Sequence, residues 1–110
     1  MENDSAILML GALAQPTRLA AFRLLVRHAP DGLAAGEAAE QLAVPQNTLS
    51  AHLAILSRAG LVRASRSGRS IIYRADLDSL RRLMLFLARD CCAGRAELCA
   101  PLVAELSPCT

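Results

Sequence analysis

The stretch from residue 35 to residue 60 constrains the fold most, because it holds two short helical periods separated by a turn of two residues. The first period runs from about residue 35 to residue 43, and its apolar residues share one side. The second begins at Pro45, repeats leucine at i, i+4 and i+7, and ends at Gly60. Two short helices joined so tightly are typical of a helix-turn-helix motif, whose second helix reads DNA.

The second helix of this motif carries small polar side chains on the face opposite its leucines. Gln and Asn can pair bidentately with adenine, Ser and Thr can bond either kind of base, and Ala leaves room for a thymine methyl group. Any one of these residues could equally be an ordinary solvent-exposed side chain, but the whole set favours contacts with bases in the major groove. The predicted base-reading residues are Gln46, Asn47, Thr48, Ser50 and Ala51. For His52, at the buried edge, a structural hydrogen bond is favoured over a base contact.

After the motif, residues 61–75 have the shorter period of two strands around a turn that carries Gly68. Between residues 41 and 75 there are five arginines and no acidic residue, whereas the rest of the chain has seven arginines and ten acidic residues. A basic hairpin beside a reader helix suits a polyanion, with a solvated face as the alternative. Arg66 and Arg69 at its tip are predicted to reach an adjacent groove or the phosphates.

Three further helices are predicted: from Ser5 to Ala14, from Pro16 to the turn at residues 29–32, and from Asp76 onward. Because aromatic residues make up only 3% of the chain, its core should be aliphatic, which suits packed helices. The last helix repeats apolar residues at a spacing suited to a partner helix, at Leu77, Leu80, Met84, Leu87 and Cys91. The sequence therefore predicts one mainly α (α+β) domain over residues 1–110, a winged helix-turn-helix with about five helices and a two-stranded β-hairpin wing.

Three segments, "QPTRLAAFRLL", "GEAAEQLAVPQNTLSAHLAILSRAGLV" and "RSGRSIIYRAD", resemble the ArsR/SmtB family of metal-responsive winged-helix repressors. The resemblance covers about residues 5 to 92. It implies a homodimer, formed largely by the first and last helices, that binds a double-stranded DNA operator and leaves it when an inducer binds. Two reader helices related by a two-fold axis can then lie one DNA turn apart, roughly 34 Å.

On this basis the chain divides into a reader motif at about residues 35–59, a wing at about 61–75, and a dimerisation helix with a cysteine tail at about 76–110. All four cysteines lie in this last part, at Cys91, Cys92, Cys99 and Cys109. Two placements of inducer ligands known in the family are missing. The first helix of the reader motif has no cysteine, and the last helix has no histidine.

The cysteine tail resembles that of family members that sense trivalent arsenic through an adjacent cysteine pair and a third cysteine. This resemblance makes Cys91, Cys92 and Cys99 the predicted ligands of an As(III) inducer, with Sb(III) or methylated As(III) as variants. Three thiolates suit the pyramidal coordination of these soft ions. Zinc with Cys109 as a fourth ligand, cadmium, lead, an oxidant or a purely structural role for the thiols stay open as alternatives. No other cofactor is predicted.

The sequence favours a regulator over an enzyme. A thiol-based reductase using Cys91 or Cys92 is the rival, but no histidine lies near the cysteines in sequence and there is no glycine-rich phosphate loop. We also expect a cytoplasmic protein that does not enter a membrane, because the apolar run from Ala6 to Ala14 is too short to span a bilayer and no signal-peptide pattern precedes it.

Overall fold

The computed structural model describes residues 1–89, 100, 101, 104 and 105. Residues 1–89 form a winged helix-turn-helix, which confirms the predicted mainly α fold with its hairpin wing. The helices and strands in this part of the chain are α1 (Asn3–Leu13), α2 (Pro16–Arg27), β1 (Leu33–Ala34), α3 (Ala35–Leu42), α4 (Gln46–Arg58), β2 (Val62–Ser67), β3 (Ser70–Ala75) and α5 (Leu77–Ala88).

The helix-turn-helix consists of α3, a tight turn and α4. Ala43 ends α3 in the left-handed conformation, with φ of 57°, and this reverses the chain within two residues. At the other end of α4, Gly60 has φ of 83°, which a residue without a Cβ adopts without strain. The reader helix is therefore bounded by two left-handed residues, close to the boundaries that the sequence predicts.

The sheet has three strands in the order β1-β3-β2 and is antiparallel throughout. The wing is the β2–β3 hairpin, in which Val62 pairs with Ala75 and Ser67 with Ser70. β1 is an addition to the predicted two strands, since a strand of two residues carries no detectable periodicity. It pairs Leu33 with Tyr73 and so fixes the wing to the start of α3.

The reader helix α4 is anchored in the core by its leucines. Leu49, Leu53 and Leu56 are fully buried, together with Leu61 just beyond the helix, and α4 packs against α2 and α3. Burial of one leucine side chain contributes about 1.5–3 kcal/mol. The polar face of α4 is thereby directed outward on a rigid support.

The outer faces of α1 and α5 remain apolar and exposed in the single chain. Ile7 and Leu85 are each 58% exposed, and Leu87 is 54% exposed. The inward-facing anchor of α5 is Leu83, at 3% exposure, which is not a member of the predicted seam. Large exposed apolar faces on two helices are typical of a protein–protein interface.

No single helix in the described part of the chain has the length and apolarity needed to cross a bilayer. α1 and α2 meet that criterion only when taken together, and they are bent by 101° where they join.

Candidate nucleic-acid interface

The predicted reader side chains lie on one outer face of α4. Gln46, Asn47, Thr48 and Ala51 are exposed and Ser50 is half-buried, opposite the leucines that hold the helix in the core. The Oδ1 atom of Asn47 accepts a hydrogen bond of 2.9 Å from the backbone N–H of Thr48. This bond engages the oxygen of the Asn47 amide, whose NH2 group is the donor end of the side chain.

A cleft of about 430 Å³ lies between the start of α3, the start of α4 and strand β3. It brings Gln46 and Ser50 of the reader helix together with Arg69 of the wing. Asn47, Thr48, Ala51 and Arg66 lie outside its lining. Two predicted base-reading residues and one predicted phosphate-binding residue therefore face the same concave surface, although the arginine follows the two reader residues by about twenty positions in sequence.

Gly36 and Tyr73 also line this cleft, and no sequence motif marks either residue as part of the site. A Cβ atom built on Gly36 would lie 3.3 Å from Oε1 of Gln46, so the Gln46 side chain rests against the backbone of α3. The only signal that could have pointed to Gly36 is its position at the start of α3, where the two helices of such a motif approach each other.

Glu37 is the acidic residue in the cleft lining, and its carboxylate is engaged at the start of α3. Its Oε1 atom accepts a hydrogen bond of 3.2 Å from the backbone N–H of Ala34. This contact supplies a cap for a helix that has no Ser, Thr, Asp or Asn at its N-cap position. The charge of Glu37 also lies near the positive end of the α3 dipole, which partly offsets it.

The five arginines of residues 41–75 have different surroundings. Arg63 forms an ion pair of 2.8 Å with Asp76, and Arg74 donates to the Ser65 hydroxyl on the neighbouring strand. Arg66 and Arg69 have no acidic partner within the described ranges. The charges at the wing tip are therefore available to an external anion, as is that of the exposed Arg58 on α4, whose Nε donates to the Ala54 carbonyl.

Asp76 joins the base of the wing to α5. Its Oδ1 atom accepts from the N–H of Ser79 at 3.0 Å, which caps α5, and its own N–H donates to the Leu61 carbonyl at 2.8 Å. Burial of the carboxylate raises its pKa, but the hydrogen bond from Ser79 and the bond and charge of Arg63 together outweigh this effect, so the pKa of Asp76 is lowered. The ionised form is thus favoured in the folded protein.

His52 lies at the edge between the exposed and buried faces of α4. Its Nδ1 atom is 3.4 Å from Nη1 of Arg18 on α2. The structure thus contains a side-chain contact of the kind predicted for His52.

The predicted inducer ligands Cys91, Cys92 and Cys99 lie outside the described residues, as does Cys109. Within the described residues, no group of three or more His, Cys, Asp or Glu side chains is arranged to hold a metal ion.

Residues 13–64 match a family model described as a helix-turn-helix domain, a range that contains the whole reader motif. The chain is 31% identical over 90 residues to an uncharacterised HTH-type transcriptional regulator, YbzH of Bacillus subtilis, covering 82% of this chain and 90% of that one. It is 37% identical over 82 residues to the HTH-type transcriptional repressor SmtB of Mycobacterium tuberculosis. That match covers 74% of this chain and 58% of the repressor.

Solved structures have the same fold. An ArsR-like transcriptional regulator from Rhodococcus superposes with a TM-score of 0.72 at 26% identity, covering 97% of this chain and 96% of that one. The homodimeric winged helix-turn-helix DNA-binding domain of a possible ArsR-family regulator from Mycobacterium bovis gives 0.64 at 29% identity, covering 84% of each chain. A possible transcriptional regulator for arsenical resistance gives 0.64 at 28% identity, covering 74% of this chain and 81% of that one.

Proposed function

Because the chain belongs to the ArsR/SmtB family of winged-helix transcriptional regulators, we propose that it is a repressor that trivalent arsenic releases from its operator. The family membership already establishes a DNA-binding, homodimeric transcriptional regulator rather than an enzyme. The rival interpretation as a thiol-based reductase is therefore set aside. The inducer, its ligands and the individual DNA contacts are the proposal.

The cleft between α3, α4 and β3 is the single observation that carries the DNA-binding site. Gln46 and Ser50 face it from the reader helix and Arg69 from the wing, so one duplex edge can meet a base-reading and a phosphate-binding group together. In the proposed complex, Gln46, Asn47, Thr48, Ser50 and Ala51 read the major groove. Arg66 and Arg69 contact the adjacent phosphates or groove, since no acidic partner in the described ranges neutralises them.

The proposed dimer interface consists of the apolar outer faces of α1 and α5. Ile7 and Leu8 of α1 and Leu85 and Leu87 of α5 are each more than half exposed in the single chain. A second copy that covers these side chains would relate the two reader helices by a two-fold axis. Two half-sites about 34 Å apart would then be read at once.

The proposed inducer site consists of the thiolates of Cys91, Cys92 and Cys99, which follow α5 directly in sequence. Regulators of this family respond to metal ions. Soft thiolate ligands select thiophilic ions, and three of them match As(III) or Sb(III). One similar solved structure is that of a possible regulator for arsenical resistance, which favours the same class of inducer.

Binding of the inducer would act on operator affinity through α5. A trivalent ion that joins three thiolates draws together a segment at the end of the proposed dimerisation helix, and this changes the relative placement of the two reader helices. A coupling free energy of about 1–3 kcal/mol would change operator affinity about 5- to 150-fold, which is enough to switch a gene. Such a regulator would work in the cytoplasm, where its operator is accessible.

The test is operator binding measured by fluorescence anisotropy, with and without arsenite. Cys91→Ser, Cys92→Ser and Cys99→Ser should each weaken release by arsenite, because each removes one of three sulfur ligands. Cys109→Ser is the matched control and should be released like the parent. If all three ligand variants are released as readily as the parent, the proposed inducer site is wrong.

Two further additions separate the alternatives for the same thiols. Release by zinc that depends on Cys109 would favour a closed four-ligand zinc site, and cadmium and lead can be compared with arsenite in the same assay. Release by diamide, reversed by a reductant, would instead favour an oxidant-responsive repressor. The proposed arsenic response requires that arsenite acts at lower concentration than zinc and without oxidation.

A further inference from the structure

Arg18 of α2 contacts two other helices, α1 and α4, through its side chain, and its backbone bonds the N-cap residue of its own helix. Its N–H donates to Oε1 of Gln15 at 2.8 Å, which caps its own helix α2. Its Nε atom donates to the carbonyl of Ala12 in the last turn of α1 at 2.6 Å. Its Nη1 atom lies 3.4 Å from Nδ1 of His52 on the reader helix α4.

The contact with Ala12 meets a need of α1. The last carbonyls of a helix lack partners within the helix, and they carry the negative end of its dipole. The last turn of α1 contains no basic residue of its own, so Arg18 supplies both the donor and the positive charge. The half-buried position of Arg18 keeps this contact partly shielded from water.

The contact with His52 reaches the DNA-binding face. His52 is half-buried and lies between the exposed Ala51 and the fully buried Leu53. When the imidazole of His52 carries its proton on Nε2, its Nδ1 atom can accept a hydrogen bond from Nη1 of Arg18. Because the guanidinium group is planar and rigid, its Nε and Nη1 atoms hold Ala12 and His52 in fixed relative directions, which the single ammonium of lysine cannot reproduce.

The two ends of this contact belong to elements with different tasks. α1 carries Ile7 and Leu8 on the proposed dimer interface, and α4 carries the proposed base-reading residues. The buried leucines of α4 hold the helix in the core and fix which side faces outward, and the hydrogen bond from Arg18 adds a directional restraint between this helix and α1. The contact through Arg18 therefore links the dimer interface to the orientation of the reader helix.

We propose that Arg18, acting through His52, is a positioning residue that fixes the rotation of the reader helix relative to α1 and so sets the fit of the dimer to its operator. This inference rests on the proposed DNA-binding function and does not depend on the inducer. Specific binding needs both reader helices in register with two half-sites, whereas binding to random DNA depends mainly on phosphate contacts. Loss of the contact should therefore affect specific binding selectively.

The experiment compares dissociation constants for two duplexes at one salt concentration. One is an operator duplex enriched from a random library by the parent protein, and the other is a scrambled duplex of equal length. Arg18→Lys and His52→Leu should each weaken operator binding about tenfold and leave scrambled-duplex binding unchanged, since the affected free energy is of the size of an ordinary coupling. When the spacing of the operator half-sites is changed by one base pair, both variants should also lose less affinity than the parent loses.

Three further variants test whether Arg18 acts on the reader helix through His52. His52→Asn retains an acceptor near the position of Nδ1 and should restore most of the operator affinity. Arg18→Lys combined with His52→Leu should be no weaker than either single variant, because residues that act through one contact are not additive. Arg23→Gln is the matched control, since Arg23 is an exposed arginine of α2, and it should behave like the parent.

Other results would overturn the inference. Equal weakening on both duplexes would make Arg18 a phosphate contact or a stability residue, and additive losses in the double variant would exclude action through His52. If the parent prefers the operator but the Arg18 and His52 variants match it, the positioning role alone is wrong. If the parent itself binds both duplexes equally, the proposed function fails as well.

Discussion

Arg63 and Arg69 lie on the same hairpin but differ in their surroundings. Arg63 is 79% exposed and paired with Asp76, whereas Arg69 lines the cleft and has no acidic partner in the part of the chain that the structure describes. A charge that is already paired within the protein releases fewer counterions from DNA than an unpaired one. The charge of Arg69 should therefore contribute more to DNA binding than the charge of Arg63.

Arg69→Ala should weaken binding to operator and random DNA alike and lower the slope of log affinity against log salt by about one, as loss of a phosphate contact does. Arg63→Ala is the matched control and should lower the slope less. A salt titration by fluorescence anisotropy measures both. A loss for Arg69→Ala restricted to one base pair of the operator would instead identify Arg69 as a base-reading residue.

The wing and α5 are joined as elements through Asp76. Its carboxylate caps α5 and pairs with Arg63, and only 11% of its side chain is exposed. Asp76→Ala should destabilise the protein by about 1–2 kcal/mol at neutral pH, because an N-cap and an ion pair are lost together. Asp76→Asn is the control that retains the ability to cap α5, and it should lower the free energy of unfolding by less.

The pH dependence of this contribution follows from the lowered pKa of Asp76. Folding favours the ionised carboxylate, so the stabilisation is present above the ordinary pKa of 3.8 and is lost as the pH falls through the lower folded-state value. The difference between the parent and Asp76→Ala in denaturant unfolding should therefore shrink in acid. A difference that grows in acid would contradict the assigned direction.

At the scale of the whole molecule, the exposed faces of α1 and α5 form the proposed dimer interface. Leu85→Glu should produce monomers, because it places a charge where the proposed partner would otherwise bury an apolar side chain. The affinity of this variant for the operator should also fall, since the single reader helix of a monomer covers only half of a two-fold site. Size-exclusion chromatography with light scattering measures the mass.

Leu19→Glu is the matched control for assembly. Leu19 is 44% exposed on α2, outside the proposed interface, so this variant should stay dimeric. If the Leu85→Glu variant remains dimeric at low concentration, the dimer interface does not include this face of α5.

Much of the fold follows from local sequence patterns. Leu49, Leu53 and Leu56 repeat at helical spacing, Gly60 ends the helix, and the two-residue turn before Pro45 separates it from α3. Each signal depends on residues a few positions apart, which is why the helix-turn-helix and the wing can be predicted without tertiary information. The polar face of the reader helix follows from the same periodicity, because the leucines fix which side is buried.

Contacts between residues far apart in sequence are decided only by the tertiary structure. The strand β1 exists because Leu33 meets Tyr73, and Gln46 rests against Gly36 because two helices cross there. Pairing with Asp76 distinguishes Arg63 from Arg69, although both are arginines of one basic segment. Composition and periodicity describe single elements, whereas these contacts depend on how separate elements pack against each other.

The sequence by itself determined the five helices and the hairpin of the wing, the outward polar face of the reader helix and the set of thiols near the end of the chain. Only the folded chain decided which polar groups face one cleft and that Arg18 connects α1 with His52. The physical reason is that secondary structure depends on neighbouring residues, while a shared site requires side chains from distant segments to lie within a few ångströms of each other.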